Sequence, residues 1–243
     1  MKQSFFDIIE NAPLTASVYR MTLRGDTSEI TRPGQFVNIA LAGKFLRRPI
    51  SVCDVVGSDL TLLYKVVGKG TEQMAGMALG ERLDVLTGLG NGYDVDKAGD
   101  APLLIGGGVG VPPLYMLAKQ LIAAGKRVRV ILGFNTKDEV FYEDEFRALG
   151  AEVTVTTVDG SHGVKGFVTA AMDDAPYTYF YTCGPEPMLK AVFAAAKTSG
   201  QFSFEERMGC GFGACMGCSC KTVTGYKRIC REGPVLEKEE ILW

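Results

Sequence analysis

The residues best suited to chemistry lie in one short segment near the end of the chain. Five of the seven cysteines fall between positions 210 and 230, and four of them, Cys210, Cys215, Cys218 and Cys230, follow the spacing C-x4-C-x2-C-x11-C. The first three stand at the spacing of a plant-type 2Fe-2S loop, in which cysteine thiolates hold the irons. An odd cysteine total argues against a disulfide framework. The spacing therefore predicts a 2Fe-2S cluster bound by these four thiolates.

The residues between the cysteines favour this interpretation. Glycines at positions 209, 211, 213 and 217 permit the tight turns that bring three thiolates together, and they let backbone amides approach sulfur. The alternative is a structural zinc site with four cysteine ligands, but zinc ligands usually come as two C-x2-C pairs, whereas Cys230 is solitary. Cys220 would lie about 6 Å beyond Cys218 along an extended chain, so we leave it out of the ligand set.

Two glycine-containing turns have the character of nucleotide-binding segments. The first, Gly106-Gly-Gly-Val-Gly-Val-Pro-Pro113, follows a short apolar strand and opens a helix, where backbone amides can meet phosphate. It departs from G-x-G-x-x-G, because proline stands at the third position and no acidic residue ends the second strand. By itself it is equally consistent with a tight turn between strand and helix. The second, Cys183-Gly-Pro185, ends another apolar strand, and on its own Cys183 is expected to be a buried structural cysteine.

A third group of polar residues lies in the first half of the chain. Arg47-Arg-Pro-Ile-Ser51 places two cations and a hydroxyl at the start of a strand, and Thr71 precedes a short helical stretch over 72–78. We predict that Thr71 caps that helix and leaves other first-turn amides free for a pyrophosphate. A solvated basic strand end and an ordinary capped turn are the alternative.

The elements that would position these residues change character near residue 100. Strand-like runs at 17–23, 35–41, 49–55, 60–67 and 82–87 predict an antiparallel barrel or sandwich. Beyond residue 102, strands at 103–105, 128–132, 152–158 and 179–183 alternate with helices ending at 124 and spanning 138–149, 167–172 and 185–199, which is typical of a parallel sheet. Residues after 200 are too few for a core of their own.

We therefore expect an α+β multidomain fold in three parts. These are an N-terminal antiparallel β-barrel over 1–97, an α/β parallel-sheet dinucleotide domain over 98–200 and a small C-terminal cluster-binding segment over 201–243. The polar, glycine-bearing stretch over 90–100 serves as the linker between the first two.

Composition excludes several classes of function. With 26 basic and 28 acidic side chains the net charge is −2, which argues against nucleic acid or an anionic membrane as the main partner. The single histidine, His162, excludes any centre that needs two histidines. Residues 1–13 lack the apolar stretch of a signal peptide, so we expect a cytoplasmic protein. Glycines and prolines interrupt the longest uncharged run, 101–118, which is therefore not a membrane anchor.

Together and in this order, the motifs resemble the ferredoxin reductase family, whose N-terminal barrel binds flavin and whose second domain binds a nicotinamide dinucleotide. The tail over 206–218 is similar to that of the electron-transfer subunits of B-type, NAD-linked dihydroorotate dehydrogenases, and the resemblance covers essentially the whole chain. It implies a 2Fe-2S cluster on the four cysteines. It implies FAD contacts at Arg48, Pro49, Ile50, Ser51, Leu63, Tyr64, Lys65, Gly70 and Thr71. The two glycine-containing turns then supply the contacts to NAD, namely Gly106, Gly107, Gly108, Gly110, Pro112, Cys183, Gly184 and Pro185.

The resemblance also implies a function and a partner. A separate FMN-containing subunit oxidises dihydroorotate to orotate, and electrons pass through the cluster and FAD of this chain to NAD in pyrimidine biosynthesis, within a heterotetramer of two plus two subunits. A flavin can link the single electrons of a cluster to the hydride chemistry of NAD. This chain lacks eight repeated strand–helix units, so it cannot itself be the catalytic barrel, and no residue of it is predicted to be catalytic.

Two alternatives share this layout. One is the flavin and iron-sulfur subunit of a hydrogenase or of a ferredoxin:NADP transhydrogenase, and the other is a non-catalytic redox sensor. The residues alone leave the choice between NAD and NADP open, because neither a ribose carboxylate nor a clear phosphate-binding arginine is visible. Of the remaining residues, we expect His162 in a solvated turn, Cys53 in the core and Trp243 at the surface or a subunit contact.

Overall fold

An antiparallel barrel forms the first half of the chain in the computed structural model, which describes residues 1–173 and 175–243. Its strands are β1 (Lys2–Pro13), β2 (Val18–Arg24), β3 (Phe36–Ile39), β4 (Arg48–Val56), β5 (Asp59–Lys65) and β6 (Arg82–Leu89), and a short helix α1 (Lys69–Ala75) follows β5. They close in the order β1-β2-β5-β4-β3-β6. The predicted barrel is thus confirmed. It includes one strand, β1, that was not among the strands predicted from the sequence.

A seven-stranded sheet forms the second half. The strands after the barrel are β7 (Leu103–Gly107), β8 (Arg129–Phe134), β9 (Glu152–Thr157), β10 (Val164–Lys165), β11 (Phe180–Cys183), β12 (Gly200–Ser203), β13 (Ser219–Thr222), β14 (Gly225–Arg228) and β15 (Val235–Glu237). The sheet order is β10-β9-β8-β7-β11-β12-β15, while β13 and β14 form a separate hairpin. All neighbours in the sheet are parallel except β12 and β15. The predicted parallel sheet is therefore confirmed, with one antiparallel strand added at its edge.

The helices of this half are α2 (Pro113–Ala123), α3 (Glu143–Ala148) and α4 (Glu186–Ala195). Three predicted helices are wrong in extent, and one of them, predicted over 185–199, ends at Ala195 as α4. The stretch over 138–149 is interrupted because Phe141 and Tyr142 turn into the core, with Tyr142 in the left-handed region at φ 66°. The stretch over 167–172 is only a 3-10 turn, Val168–Ala171. Among the described helices, none combines the length and the apolar composition that a bilayer crossing requires.

The C-terminal tail shares the core of the sheet. Ile229, Leu236 and Ile241 pack in the same buried cluster as Leu103 and Phe202. Strands from both sides of residue 201 thus belong to one sheet, and the three-part division of the chain stays a prediction. The tail needs no separate core, because the sheet edge supplies the apolar partners.

Helix α2 links the sheet to the barrel. Lys119 Nζ of α2 lies 2.8 Å from Asp54 Oδ2 of β4. Next to it, Cys53 is fully buried, and burial raises the pKa of its thiol. Cys53 is therefore a neutral core residue, as predicted.

Candidate functional site

The first candidate site lies where two barrel strands part. β4 pairs with β5 from Val56 and Asp59 as far as Val52 and Leu62, whereas toward its beginning β4 continues along β3. Seven of the nine residues predicted to contact FAD therefore lie where β4 and β5 no longer pair with each other, a place that we call the opening. Arg48, Pro49, Ile50 and Ser51 lie on one side of it, and Leu63, Tyr64 and Lys65 lie on the other.

Arg48 and Gly70 are in direct contact at this opening. A Cβ atom on Gly70 would lie 2.1 Å from Nε of Arg48, so the guanidinium occupies the space that any other residue would fill. Arg48 Nη1 also donates a hydrogen bond to the carbonyl of Leu46 at 2.5 Å. The structure thus brings a cation from β4 and the backbone of α1 to one place.

Thr71 lies inside the first turn of α1 and is not the N-cap residue, which is Gly68; it takes part in the cap from within the helix, by accepting from the Gly68 amide. The helix begins at Lys69, and the Thr71 hydroxyl accepts hydrogen bonds from the amides of Val67 at 2.9 Å and Gly68 at 3.3 Å. The hydroxyl also donates to the carbonyl of Gly68 at 3.0 Å and so closes the turn that precedes the helix.

On the other side of the opening, two of the three predicted FAD contacts have buried side chains. Leu63 packs in the core, and the Tyr64 hydroxyl donates to Asn11 Oδ1 at 2.9 Å. Burial raises the pKa of Tyr64, which stays a neutral donor. Leu63 and Tyr64 can therefore offer a ligand only backbone atoms, whereas the Lys65 side chain is half-buried.

The second candidate site lies at the carboxyl ends of β7 and β11. Cys183 pairs with Gly106, which places the two glycine-containing turns side by side. From β7 the sheet runs outward through β8 to β9, and the chain then returns to β11 on the other side of β7. Such a reversal of strand order opens a crevice that binds ligands in α/β sheets.

The backbone amides that could bind a phosphate here belong to the turn after β7 and not to the first turn of α2. Pro112 and Pro113 have no N–H, and the amides of Leu114 and Tyr115 donate to the carbonyls of Val111 and Pro112. The expectation that the N-terminal amides of α2 meet phosphate is therefore wrong for these four residues. At Gly108 (φ 51°), by contrast, no described atom lies within 4 Å of where a Cβ would be. This leaves room in front of the loop.

Close packing joins the two turns. A Cβ on Gly110 would lie 2.3 Å from the Cys183 carbonyl oxygen, and a Cβ on Gly107 would lie 2.4 Å from Met188 Sδ. Burial raises the pKa of the Cys183 thiol to about 12, so this thiol is neutral near pH 7. Met188 was not singled out from the sequence, and its place three residues after Pro185 could have indicated it.

The third candidate site is the cysteine loop. Its chain reverses direction at Gly211 (φ 80°), Gly213 (φ 92°) and Met216 (φ 61°), all in the left-handed region that favours glycine. Cys210 Sγ accepts hydrogen bonds from the amides of Ala214 at 3.2 Å and Cys215 at 3.5 Å. The loop thus directs backbone N–H groups at sulfur, as a cluster-binding loop requires.

Backbone hydrogen bonds join the cysteines two by two: the Cys215 amide donates to the Cys210 sulfur at 3.5 Å, and the Cys230 amide donates to the Cys218 sulfur at 3.4 Å. Burial raises the pKa of Cys210, but hydrogen bonds from the loop amides outweigh it and lower the value to about 6. Burial and the neighbouring Cys218 raise the pKa of Cys230 to about 12.

In the described parts of the chain, no three histidine, cysteine, aspartate or glutamate side chains are placed so that together they could hold a metal ion. The donor set nonetheless fits a cluster: four free thiols on a single loop and hairpin, with backbone amides directed at the sulfurs of Cys210 and Cys218.

Two residues that sequence reasoning missed hold this loop and the chain that follows Cys230 in place. Arg228 Nη1 donates to the carbonyl of Gly213 at 2.6 Å, while Arg228 Nε is bound to Glu232 at 2.9 Å. Asn91 Nδ2 donates to the carbonyls of Glu232 and Val235 at 3.1 and 2.7 Å. The spacing of four residues between Arg228 and Glu232 could have indicated the first pair.

Asn38 connects the cysteine loop to the barrel. This residue of β3 is 1% exposed, and its Nδ2 donates to the carbonyl of Cys210 at 3.2 Å. Beside this contact, Phe45, Leu46 and Phe212 line a cleft of about 430 Å³ that also borders Cys210 and Cys215. The chain between β3 and β4 and the cysteine loop thus form one continuous surface.

The remaining predictions concern residues outside these sites. Cys220 lies in β13 and contacts none of the amides that bind Cys210. His162 is exposed, with Nε2 lying 2.7 Å from Glu143 Oε2. Trp243 packs against Phe193 and Phe202 with ring centroids 5.2 and 5.5 Å apart, and is 44% exposed.

Comparison with known proteins places these sites in context. Residues 205–242 match the family described as the iron-sulfur cluster binding domain of dihydroorotate dehydrogenase B, and residues 104–193 match the oxidoreductase NAD-binding domain. The electron transfer subunit of dihydroorotate dehydrogenase B (NAD(+)) of Geobacillus sp. (strain WCH70) is 44% identical over 256 residues, covering 100% of this chain and 99% of that protein. Its counterpart from Fusobacterium nucleatum is 45% identical over 251 residues, covering 97% and 96%.

Solved structures agree with this placement. The structure of an NADH-dependent reduced ferredoxin-NADP oxidoreductase, described for flavin-based electron bifurcation, is similar with a TM-score of 0.89 and 32% identity over 98% of this chain and 90% of that chain. A cytochrome P450 reductase from Amycolatopsis, with a TM-score of 0.71 and 22% identity over 80% and 65%, shows the shared fold alone.

The barrel, the parallel sheet and the cysteine loop define an oxidoreductase subunit with a ferredoxin-reductase-like fold. Within this class, identity above 40% over essentially the full length of two named relatives indicates the family. The chain belongs to the family of electron transfer subunits of dihydroorotate dehydrogenase B. The resemblance inferred from the sequence is thereby confirmed.

Proposed function

We propose that this chain passes electrons from the catalytic subunit of a dihydroorotate dehydrogenase, through a 2Fe-2S cluster and FAD, to NAD+ in pyrimidine biosynthesis. The observation that carries the proposal is the contact between the cysteine loop and strand β3, because β3 pairs with the β4 residues that border the barrel opening. One chain therefore brings a cluster loop and a flavin-type opening together.

In this proposal, Cys210, Cys215, Cys218 and Cys230 hold the cluster. FAD binds between β4 and β5, where Arg48 supplies a positive charge beside the backbone of Gly70. NAD+ binds at the turns that Gly110 and Cys183 bring into contact. The cluster supplies one-electron chemistry, the flavin supplies both one- and two-electron chemistry, and NAD+ accepts a hydride.

The chain's own residues position these groups and carry out no bond-breaking on dihydroorotate. Arg48 orients an anionic group, since a guanidinium binds phosphate through paired donors. The open space at Gly108 lets a ligand approach the loop backbone, and the nearby Cys183 thiol is neutral. The loop amides at Ala214 and Cys215 stabilise the negative charge on Cys210 sulfur.

We propose that the catalytic partner is an FMN-containing subunit, and that two copies of each chain assemble as a heterotetramer. The cleft beside Cys210 and Cys215 supports a docking position next to the cluster, since Phe45 and Phe212 expose apolar surface there. Such a patch is typical of a protein interface. Free thiols that must stay reduced fit a cytoplasmic location.

The test uses the purified chain and a co-purified complex from the native source. The chain alone, loaded with its cofactors, is expected to reduce artificial acceptors with NADH and to leave dihydroorotate unchanged. The complex is expected to couple dihydroorotate oxidation to NAD+ reduction. Orotate formation by the chain alone would refute the division of labour.

A second candidate function has a specific observation behind it. The 32% identity and TM-score of 0.89 to an NADH-dependent ferredoxin-NADP oxidoreductase favour a related transhydrogenase subunit. The native partner separates the two possibilities: a TIM-barrel protein of about 250 residues or more supports the dihydroorotate assignment, whereas a glutamate-synthase-like chain supports the transhydrogenase.

A further inference from the structure

We infer that Asn38 is a positioning residue that fixes the cluster loop against the flavin strand, and so sets how well the two redox sites communicate. The inference deepens the proposed function and rests on it. It concerns a side chain that lies in the barrel, 172 residues before the cysteine that it contacts.

The alternation of β3 directs Asn38 away from the barrel interior. Val37 and Ile39 pack in the core of the barrel, whereas Phe36 packs with the cluster-side core that includes Cys218 and Cys230. Successive side chains of a strand point to opposite faces, so Asn38 shares the outward face of Phe36. It therefore faces the tail.

Cross-strand pairing places part of the flavin strand on the same face. Asn38 pairs with Pro49, and Phe36 pairs with Ser51. Directly opposed residues of an antiparallel pair project to the same side of the sheet. Asn38 thus stands beside the β4 residues proposed to bind FAD while its Nδ2 holds the carbonyl of Cys210.

The contact between Asn38 and the cysteine loop is close, and its donor is Asn38 Nδ2. A Cβ on Gly211 would lie 2.3 Å from Asn38 Nδ2, so the loop backbone rests on this amide. The backbone carbonyl of Asn38 accepts from Arg47 Nη1 at 3.3 Å, and Arg47 in turn pairs with Asp84 at 2.9 Å. The backbone that carries the Asn38 side chain is therefore itself held in place, by Arg47 and through it by Asp84.

The other end of the same amide has no hydrogen-bond partner among the described residues. Asn38 Oδ1 is buried and unpaired, which makes an amide at this position unfavourable for folding in itself. An aliphatic side chain of similar size would fill the space without that cost. What the amide adds is the bond to the cysteine loop, and this points to a role in the site and not in barrel stability.

The test compares two substitutions at Asn38 with a matched control in the full-length, cofactor-loaded chain. Asn38→Leu removes the donor, and Asn38→Asp replaces it with an acceptor of the same shape. Gln35→Glu is the control, because Gln35 is also buried and its Nε2 donates to a backbone carbonyl, that of Gly90, at 3.1 Å. This control does not touch the cysteine loop.

We expect both Asn38 variants to keep wild-type FAD content and wild-type reduction of the flavin by NADH. Reduction of the cluster by NADH should slow by about 10- to 100-fold, the range typical when a hydrogen bond that orients a metal ligand is lost. The EPR spectrum and the midpoint potential of the cluster should shift, with the larger shift in Asn38→Asp. Loss of the cluster with flavin content unchanged would also support the inference.

Three results separate the possible failures. If the wild-type chain takes up no cluster or no flavin, the proposed function fails before any variant is considered. If wild type loads both groups and the Asn38 variants match it in EPR spectrum, potential and cluster reduction rate, the inference about Asn38 is overturned and the proposed function stands. Equal loss of flavin and cluster, with a lower unfolding temperature than Gln35→Glu, would make Asn38 a structural residue and overturn the inference as well.

Discussion

The backbone of Gly110 lies against the carbonyl of Cys183, so closely that a Cβ on Gly110 would approach the oxygen to 2.3 Å. The atoms on both sides are main chain and cannot rotate away. The two segments that the sequence marks as nucleotide-binding turns are therefore in contact at one end of the sheet.

This contact makes Gly110→Ala a direct test of the NAD+ site. We expect the added methyl group to push the turns apart at a cost of about 1–3 kcal/mol, and the affinity for NADH to fall by about 10- to 100-fold. NADH titration of flavin reduction measures the effect. Iron content and flavin content serve as internal controls, and a variant with unchanged NADH affinity would contradict the placement of NAD+ at these turns.

The contact between Arg48 and Gly70 gives a second prediction. Gly70→Ala should displace the Arg48 guanidinium, since its Nε occupies the position of the new methyl group. We expect weaker FAD binding, by about tenfold for each 1.4 kcal/mol lost, measured by fluorescence on dilution of the flavoprotein.

The matched control is Gly76→Ala, at the other end of the same helix. There the nearest atom to a Cβ is Gln73 O at 3.7 Å, an ordinary contact. Equal loss of FAD from both variants would mean that helix stability, and not Arg48, accounts for the result.

The cluster ligand set is tested by replacing cysteines singly. Cys215→Ser should remove or destabilise the cluster and leave FAD content near that of the wild type, because Cys215 is exposed and none of the residues proposed to contact FAD lies on its loop. Cys220→Ser should retain the cluster. Iron and inorganic sulfide analysis, with flavin quantified in the same samples, distinguishes these outcomes, and cluster loss in Cys220→Ser alone would exchange the two cysteines in the ligand set.

Glu237 should make the attachment of the tail dependent on pH. Burial raises its pKa, but hydrogen bonds from Lys97, Gln201 and Tyr179 outweigh it, so that the pKa lies below the usual 4.5. A carboxyl group with a lowered pKa stabilises the folded state above the unfolded pKa, and this stability is lost as pH falls through the folded value.

We therefore expect the free energy of unfolding to fall below about pH 4.5. Glu237→Gln should weaken this dependence and should destabilise the protein by about 1–3 kcal/mol at neutral pH. Glu239→Gln is the control, since Glu239 is exposed and accepts a hydrogen bond from Ser199 at 2.7 Å. Urea unfolding followed at several pH values measures both, and identical curves for the two variants would rule out the role of Glu237.

Local patterns made much of the fold predictable. The spacing of the cysteines, the glycine turn after β7 and the alternation of strands with helices are all encoded within a few neighbouring residues, so they could be recognised from the sequence. Strands β12 and β15 were missed because each is short and is defined by its partner in the sheet and not by its own periodicity. The start of α1 was predicted too late for a related reason: the helix begins at Lys69, and Thr71 helps to cap it from inside by binding the turn before it.

The contacts that join the sites could not be predicted in the same way. Asn38 is separated from Cys210 by 172 residues, and Asn91 from Val235 by 144. Each is an ordinary polar residue, Asn38 within a strand and Asn91 shortly after one, and its role depends on how the tail folds back over the barrel. Such contacts follow from tertiary packing and carry no local signal.

The most direct test of the central claim is anaerobic EPR of the purified chain after addition of NADH. The account predicts a rhombic 2Fe-2S signal that appears together with bleaching of the flavin, in a protein that contains iron and inorganic sulfide. A yellow protein without sulfide, in which the flavin bleaches and no EPR signal appears even after dithionite, would contradict it.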